Sequence, residues 1–167
     1  EALLERMGGY TGCVGVLDTG RPGPVTTLRF DIDCLAIEET KDENHLPNRE
    51  GFASTRPGLS HACGHDGHTA VGLGVAQWLA DNKETLCGKV KLVFQPDEEG
   101  FTGAKAMLKA GVLEAPKPQA AMALHVNSGT PSGLVLCGKG TFMAGCTLFR
   151  ITVKGVGCHG AMPETGV

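Results

Sequence analysis

Two apolar runs that stop abruptly on titratable side chains constrain the fold of this chain more than any other feature. Lys89-Val90-Lys91-Leu92-Val93-Phe94-Gln95-Pro96 reads as a buried strand ended by proline, and it passes directly into Asp97-Glu98-Glu99-Gly100. Ala120-Ala121-Met122-Ala123-Leu124 reads the same way and ends in His125. Comparable strand-like runs cover 12–17, 25–31, 133–136 and 148–153, and helical candidates cover 66–86 and 103–110. Strands that are continuously apolar rather than alternating, interleaved with helices, predict an α/β fold: an αβα sandwich around a mostly parallel or mixed sheet. Ligands bind such sheets at the carboxyl edge of the strands. Three consecutive acids delivered there are costly if they face inward unpaired, and a cation offsets that cost.

The segment His61-Ala62-Cys63-Gly64-His65-Asp66-Gly67-His68 supplies further candidates for such a centre. It packs three of the six histidines, one cysteine and one acid into eight residues, all of them side chains that bind transition metals. Cys63 and His65 are two apart, so in an extended segment both point to the same side and one ion can be shared by thiolate and imidazole. His61 and Asp66 are then candidates for orienting partners. Alone, the Cys63/His65 pair is as compatible with a structural role as with a metal; Glu98, Glu99 and His125 shift the balance to a metal. Adjacent glutamates suit divided labour, one binding a cation while its neighbour takes a proton from water. His68 reads as helix packing or a cap contact, and His45 as a solvated loop residue. A thiol catalyst built from Cys63 and His65 is the rival chemistry, but it leaves the glutamate pair without a task.

Seven cysteines at 13, 34, 63, 87, 137, 146 and 158 form an odd, scattered set without a CxxC pair, which argues against a disulfide framework or a zinc finger and for a reducing cytoplasm. All but Cys63 read as small buried hydrophobes. A net charge of -3 with no basic stripe gives no electrostatic footprint for nucleic acid and leaves small solutes as the expected partners. No stretch approaches 18 apolar residues, so no membrane-spanning helix is expected, and the first residues lack the features of a signal peptide. Glycines near 12–15, 72–74 and 155–157 lack the GxGxxG spacing of a nucleotide site. Residues 42–60 are polar, carry Pro47 and Pro57, and read as a loop leading into the histidine cluster; the first seven read as the second half of a helix. A change of character near Ala144, where 146–156 takes up a period of two, predicts one domain over 1–143 and the beginning of another over 144–167.

Five blocks in order carry a resemblance to a known family: Leu28-Arg29-Phe30-Asp31-Ile32-Asp33, the 61–70 segment, Phe94-Gln95-Pro96-Asp97-Glu98-Glu99-Gly100, Ala123-Leu124-His125-Val126, and Gly157-Cys158-His159-Gly160-Ala161-Met162-Pro163. The chain resembles the M20-type metal-dependent amidohydrolases and peptidases, in the branch that includes aminoacylase-like, hippurate and auxin-conjugate hydrolases. The resemblance covers nearly the whole chain but only a middle portion of the family's usual length. It implies a partial zinc-peptidase-like catalytic domain over 1–143 and the start of a smaller α+β lid or dimerisation domain over 144–167. It further implies that Cys63, His65, Glu99 and His125 are metal ligands, joined by a histidine from outside this stretch, with Glu98 as general base and Asp33 as an acid beside the ligands. Asp31 stands where related peptidases have a ligating histidine, and His159 matches a lid histidine that reaches the active site of the other protomer. The implied reaction is hydrolysis of the amide bond of an N-acyl amino acid, p-aminobenzoyl-glutamate among the candidates, by a metal-activated water. Two divalent ions are implied, Mn2+ or Zn2+, with Co2+ or Ni2+ also fitting the donor set. The assembly implied is a homodimer or a heterodimer of related chains. The alternative is a non-catalytic metal-binding or assembly component of the same fold.

Overall fold

The computed structural model describes residues 11–166 together with Glu5 and Gly9. The helix expected over the first seven residues lies, but for Glu5, outside that part. Two compact units are present, one ending at Ser128 and the other beginning at Gly129.

The first unit is built on four strands, β1 (Cys13–Asp18), β2 (Val25–Asp31), β3 (Lys89–Gln95) and β4 (Ala120–Ala123), in the order β1-β3-β2-β4. β2 runs parallel to both β3 and β4, and β1 closes the other edge antiparallel to β3. Parallel neighbours need long crossovers. Between β2 and β3 lie the short helix α1 (Leu46–Glu50) and the long helix α2 (His65–Asp81); between β3 and β4 lies α3 (Gly103–Lys109). The mixed sheet with helical crossovers is the expected fold class.

β3 is continuously apolar because both of its faces are covered. On one face Phe30, Leu79 and Leu92 form a core joined by Leu28, Val75, Ala76 and Phe94; on the other, Val93 packs with Met107 and Val112. Lys91 shares the second face and is almost fully buried, its ammonium donating to the Val112 carbonyl at 2.7 Å. The buried positions of α2 are His65, His68, Gly72 and Leu79, a stripe at helical spacing. Gly72 lets this helix lie close on the sheet, since a Cβ there would stand 2.7 Å from Phe94 and 2.9 Å from Phe30. The same stripe continues past the apolar core onto the carboxyl edge of the strands, where it becomes histidine.

Five expectations need correction. α2 ends at Asp81, a separate 3-10 turn at Lys83–Thr85 following, and β4 ends at Ala123, so His125 belongs to the loop beyond it. The 42–60 loop contains α1, with Pro47 in its first turn, where its missing N–H costs nothing. Six cysteines are exposed rather than buried. In the second unit, residues 133–136 and 148–153 are not strands: Val135, Ile151 and Val153 are largely exposed, and the described regular structure there is a turn at Pro163–Thr165. An alternating pattern states which face a strand would bury, but the backbone becomes a strand only with a paired neighbour.

Candidate metal centre

The carboxyl edge of β2, β3 and β4 gathers the titratable residues. Gly64 caps α2 with φ 81°, in the left-handed region, so Cys63 lies just outside the helix, while His65 and His68 fall on one face of its first turns. The expected extended segment is therefore a turn into a helix. Cys63 and His65 nevertheless converge: their ligand atoms and that of His125 all lie within 4.8 Å of one another.

The hydrogen bonds of His65, which is 1% exposed, decide what its ring can do. Nδ1 meets only acceptors, the Asp33 carboxylate at 3.1 Å and the Asp33 carbonyl at 3.1 Å, so it carries the proton. Nε2 is left with a lone pair, buried and without a hydrogen-bond partner. Around it stand Asp31 at 3.8 Å, Glu99 at 3.9 Å and Glu98 at 4.0 Å, too far for hydrogen bonds. Glu99 Oε1 is likewise buried and unpartnered. Two acceptors orphaned face to face are a costly arrangement that a cation between them satisfies.

Asp33 supports both. Its second carboxylate oxygen accepts the Glu99 N–H at 3.0 Å, so one side chain orients His65 and fixes the backbone of Glu99. The acidic loop is turned into place by Asp97, at φ 51°, and Phe101, at φ 57°. Glu98 is the more exposed of the two glutamates, 36% against 28%. His125 donates from Nδ1 to the Val126 carbonyl at 2.6 Å, which frees Nε2 toward Cys63 Sγ at 3.5 Å.

Electrostatics separate the two chemistries open to Cys63. Burial, the hydrogen bond to Glu99 and the charges of Glu99, Glu98 and Asp31 push its thiol up to about 11. A nucleophilic cysteine needs the opposite environment. A cation among the carboxylates would reverse this field, so the thiol suits metal binding and not thiol catalysis. Asp31 is held below the usual carboxylate range: burial opposes its ionisation, but the hydrogen bond from His68 and the Arg29 guanidinium at 2.6 Å outweigh it.

The expected ligand candidates Cys63, His65, Glu99 and His125 are thus brought to one edge with Glu98 and Asp33 beside them. His159 lies in the second unit, its Nδ1 accepting the Ala161 N–H at 3.2 Å. His61 and Asp66 do not orient the ligands; Asp66 caps the Gly67 N–H at 2.9 Å, and His61 is exposed. Instead, Asp31 and His68 underlie the centre. Their ligand atoms and that of His65 form a second close group, but both His68 nitrogens are engaged, with Asp31 and with the Val126 N–H. The sequence holds a hint of this, His68 being three residues after His65 and Asp31 two before Asp33. Next to the 61–66 segment opens a cavity of about 560 Å3, its lining mixing the apolar Ile37, Phe52 and Leu59 with the charged Glu38, Glu39 and Arg56.

Residues 27–161 match the model of peptidase family M20/M25/M40, and the chain belongs to that family. A homolog in Haemophilus influenzae of one p-aminobenzoyl-glutamate hydrolase subunit is 47% identical over 99% of this chain, and the corresponding p-aminobenzoyl-glutamate hydrolase subunit of Escherichia coli is 50% identical over 95%. The chain spans 39% and 36% of the length of these relatives. Among solved structures, the Bacillus subtilis YXEP protein, described as a dinuclear metal binding peptidase from the M20 family, is 40% identical with a TM-score of 0.64, over 72% of this chain and 31% of that one. An aminobenzoyl-glutamate utilization protein from Klebsiella pneumoniae is 38% identical with a TM-score of 0.53, over 75% of this chain and 25% of that one.

Proposed function

We propose that the protein is a metal-dependent amidohydrolase that cleaves the linear amide of an N-acyl amino acid, p-aminobenzoyl-glutamate among the candidates. The observation that carries this reading is the pair of orphaned buried acceptors, His65 Nε2 and Glu99 Oε1, beside Glu98 and within reach of Cys63 and His125. Cys63, His65, Glu99 and His125 would hold divalent ions, two by analogy with the dinuclear relative; Mn2+ or Zn2+ fits, as does Co2+ or Ni2+. When bound, such ions polarise a carbonyl and lower the pKa of water. Asp33 keeps His65 in the tautomer whose Nε2 lone pair faces the centre. Glu98, the more exposed acid, takes the proton from the attacking water and returns it to the leaving amine. The apolar wall of Phe52, Ile37 and Leu59 beside the 61–66 segment suits an aromatic acyl group.

The larger assembly follows the same reading. Residues 144–167 would begin a lid or dimerisation domain, and His159 would act on the substrate of the partner protomer in a homodimer or a heterodimer of related chains. No described helix is long and apolar enough to cross a membrane. We assign the protein to the cytoplasm on its cysteines instead, which are free and suit a reducing compartment. Replacing Glu98 with Gln in the full-length protein should lower turnover of N-acyl amino acids by about 10²–10⁴-fold while metal content stays unchanged. Near-normal activity in that variant would remove Glu98 from the role of base. Absence of turnover in the metal-loaded native protein over a panel of such amides would favour the non-catalytic assembly component.

A further inference from the structure

His68 is fully buried at the centre of this edge yet takes no part in the chemistry proposed above. Its hydrogen bonds define a directed relay. The Val126 N–H donates to Nε2 at 2.9 Å, so that nitrogen is unprotonated and the proton lies on Nδ1, where it is donated to Asp31 Oδ1. Asp31 Oδ2 in turn accepts Arg29 at 2.6 Å, and Arg29 Nε donates to the Gln95 side chain at 2.9 Å. The relay therefore starts on β3, crosses β2 and α2, and ends on the peptide next to His125.

The residue that carries this N–H, Val126, also holds the His125 ring through its carbonyl, one peptide further on. The Val126 carbonyl accepts the His125 Nδ1–H, which turns Nε2 toward Cys63. The His68 ring stands edge-on to that of His125, with centroids 4.6 Å apart at 78°. Gly64 closes the arrangement from the other side, since a Cβ there would lie 2.5 Å from Val126 Cγ2. No strand ladder holds His125, because β4 stops at Ala123 and is exposed along its length.

We propose that His68 is a positioning residue for the metal centre: the Arg29–Asp31–His68 relay grips the Val126 amide and thereby sets the ring of His125. This rests on the reading of His125 as a ligand. The test uses the full-length protein, with Zn2+ affinity measured by calorimetry and the histidine tautomers of the metal-free form by long-range 1H–15N NMR. His68→Leu should weaken Zn2+ binding by about 10–100-fold, the range for lost outer partners of metal ligands. His68→Gln should recover most of it, because an amide can both donate to Asp31 and accept from Val126. Met107→Ala, on the opposite face of the sheet, should lower the melting temperature without changing affinity, which separates positioning from general destabilisation.

Native affinity in His68→Leu together with lost affinity in His125→Ala would overturn the relay alone. Unchanged affinity in both variants would overturn the relay together with the assignment of His125. Loss in the Leu variant without recovery in the Gln variant would reduce His68 to a packing residue. Should His68→Leu not fold, the decision passes to the native tautomer and the Gln variant: an Nε2–H tautomer or a weakened Gln variant overturns the proposal, and an Nδ1–H tautomer with near-native Gln affinity supports it.

Discussion

Replacing Asp33 with Asn changes one atom and one charge, and the geometry gives it a specific consequence. In the native protein one carboxylate oxygen accepts His65 Nδ1–H at 3.1 Å and the other accepts the Glu99 N–H at 3.0 Å. An amide has one acceptor oxygen, so it cannot satisfy both donors. With the oxygen kept on Glu99, the amide NH2 faces His65 Nδ1 and opposes the pull of the residue 33 carbonyl, which still accepts at 3.1 Å; the expected outcome is that the added donor prevails and the imidazole proton moves to Nε2. That nitrogen faces the carboxylates of Asp31, Glu98 and Glu99, and once protonated it is no longer a ligand. Metal affinity should fall by about 10–100-fold, or about 1.4–2.8 kcal/mol, with little change in melting temperature because both hydrogen bonds survive in altered form. Asp33→Ala should behave oppositely. His65 Nδ1 keeps the backbone carbonyl of residue 33 at 3.1 Å, so the tautomer holds, while the part-buried Glu99 amide loses its acceptor at a cost of about 1 kcal/mol. Calorimetric metal titration, thermal unfolding and 15N tautomer assignment read the three quantities. If the Asn variant keeps both the Nδ1–H tautomer and native affinity, the reasoning from acceptor count is wrong.

Two further outcomes follow from the same edge. In the metal-free protein the Cys63 thiol, raised from 9.0 to about 11, stays protonated where an unfolded chain ionises; folded stability is therefore lost as pH rises through the window from about 9 to about 11. At pH 8 its alkylation should run about 100-fold slower than that of a free thiol, as followed by peptide mass spectrometry, and labelling of Cys63 as fast as exposed Cys87 would contradict the raised pKa. Gly64→Ala should weaken metal binding as well as folding, since the new Cβ meets both a left-handed φ of 81° and Val126 at 2.5 Å; native affinity on a destabilised fold would show that Val126 can move without disturbing the centre.

The parts of the site visible in the sequence are those whose chemistry is carried by neighbours in the chain. Glu98 and Glu99 are visible because β3 is apolar on both faces and Pro96 stops it, which leaves the acids at a strand end. His125 is visible for the same reason, although β4 stops earlier than its apolar run suggests. The tasks of Asp33 and His68 are not, because their contacts join residues far apart in the chain: Asp33 meets Glu99 only once β2 and β3 have paired in register, and His68 meets Val126 only once α2 lies on the sheet. Spacing places Cys63 and His65 on one side of an extended segment; convergence comes instead from a left-handed glycine, a backbone state the residue letter permits but does not announce. The alternating run over 146–156 shows the converse, a clear local pattern with no paired strand among the described residues.

The shortness of β4 gives the centre one weakly tethered arm. Cys63 and His65 ride on the start of a helix packed into the core, and Glu99 follows the most buried strand, whereas His125 follows four exposed residues that pair with β2 alone and is held beyond them by Leu124 against the core and by the His68 hydrogen bond to Val126. Fraying of that edge strand withdraws only Leu124 from the core, so it is among the cheaper local openings available to the domain. A bound cation would bridge the frayed arm to the rigid remainder and stabilise only the closed form. Uptake and release of metal would then be governed by the breathing of one edge strand, on a timescale set by local opening and not by global unfolding.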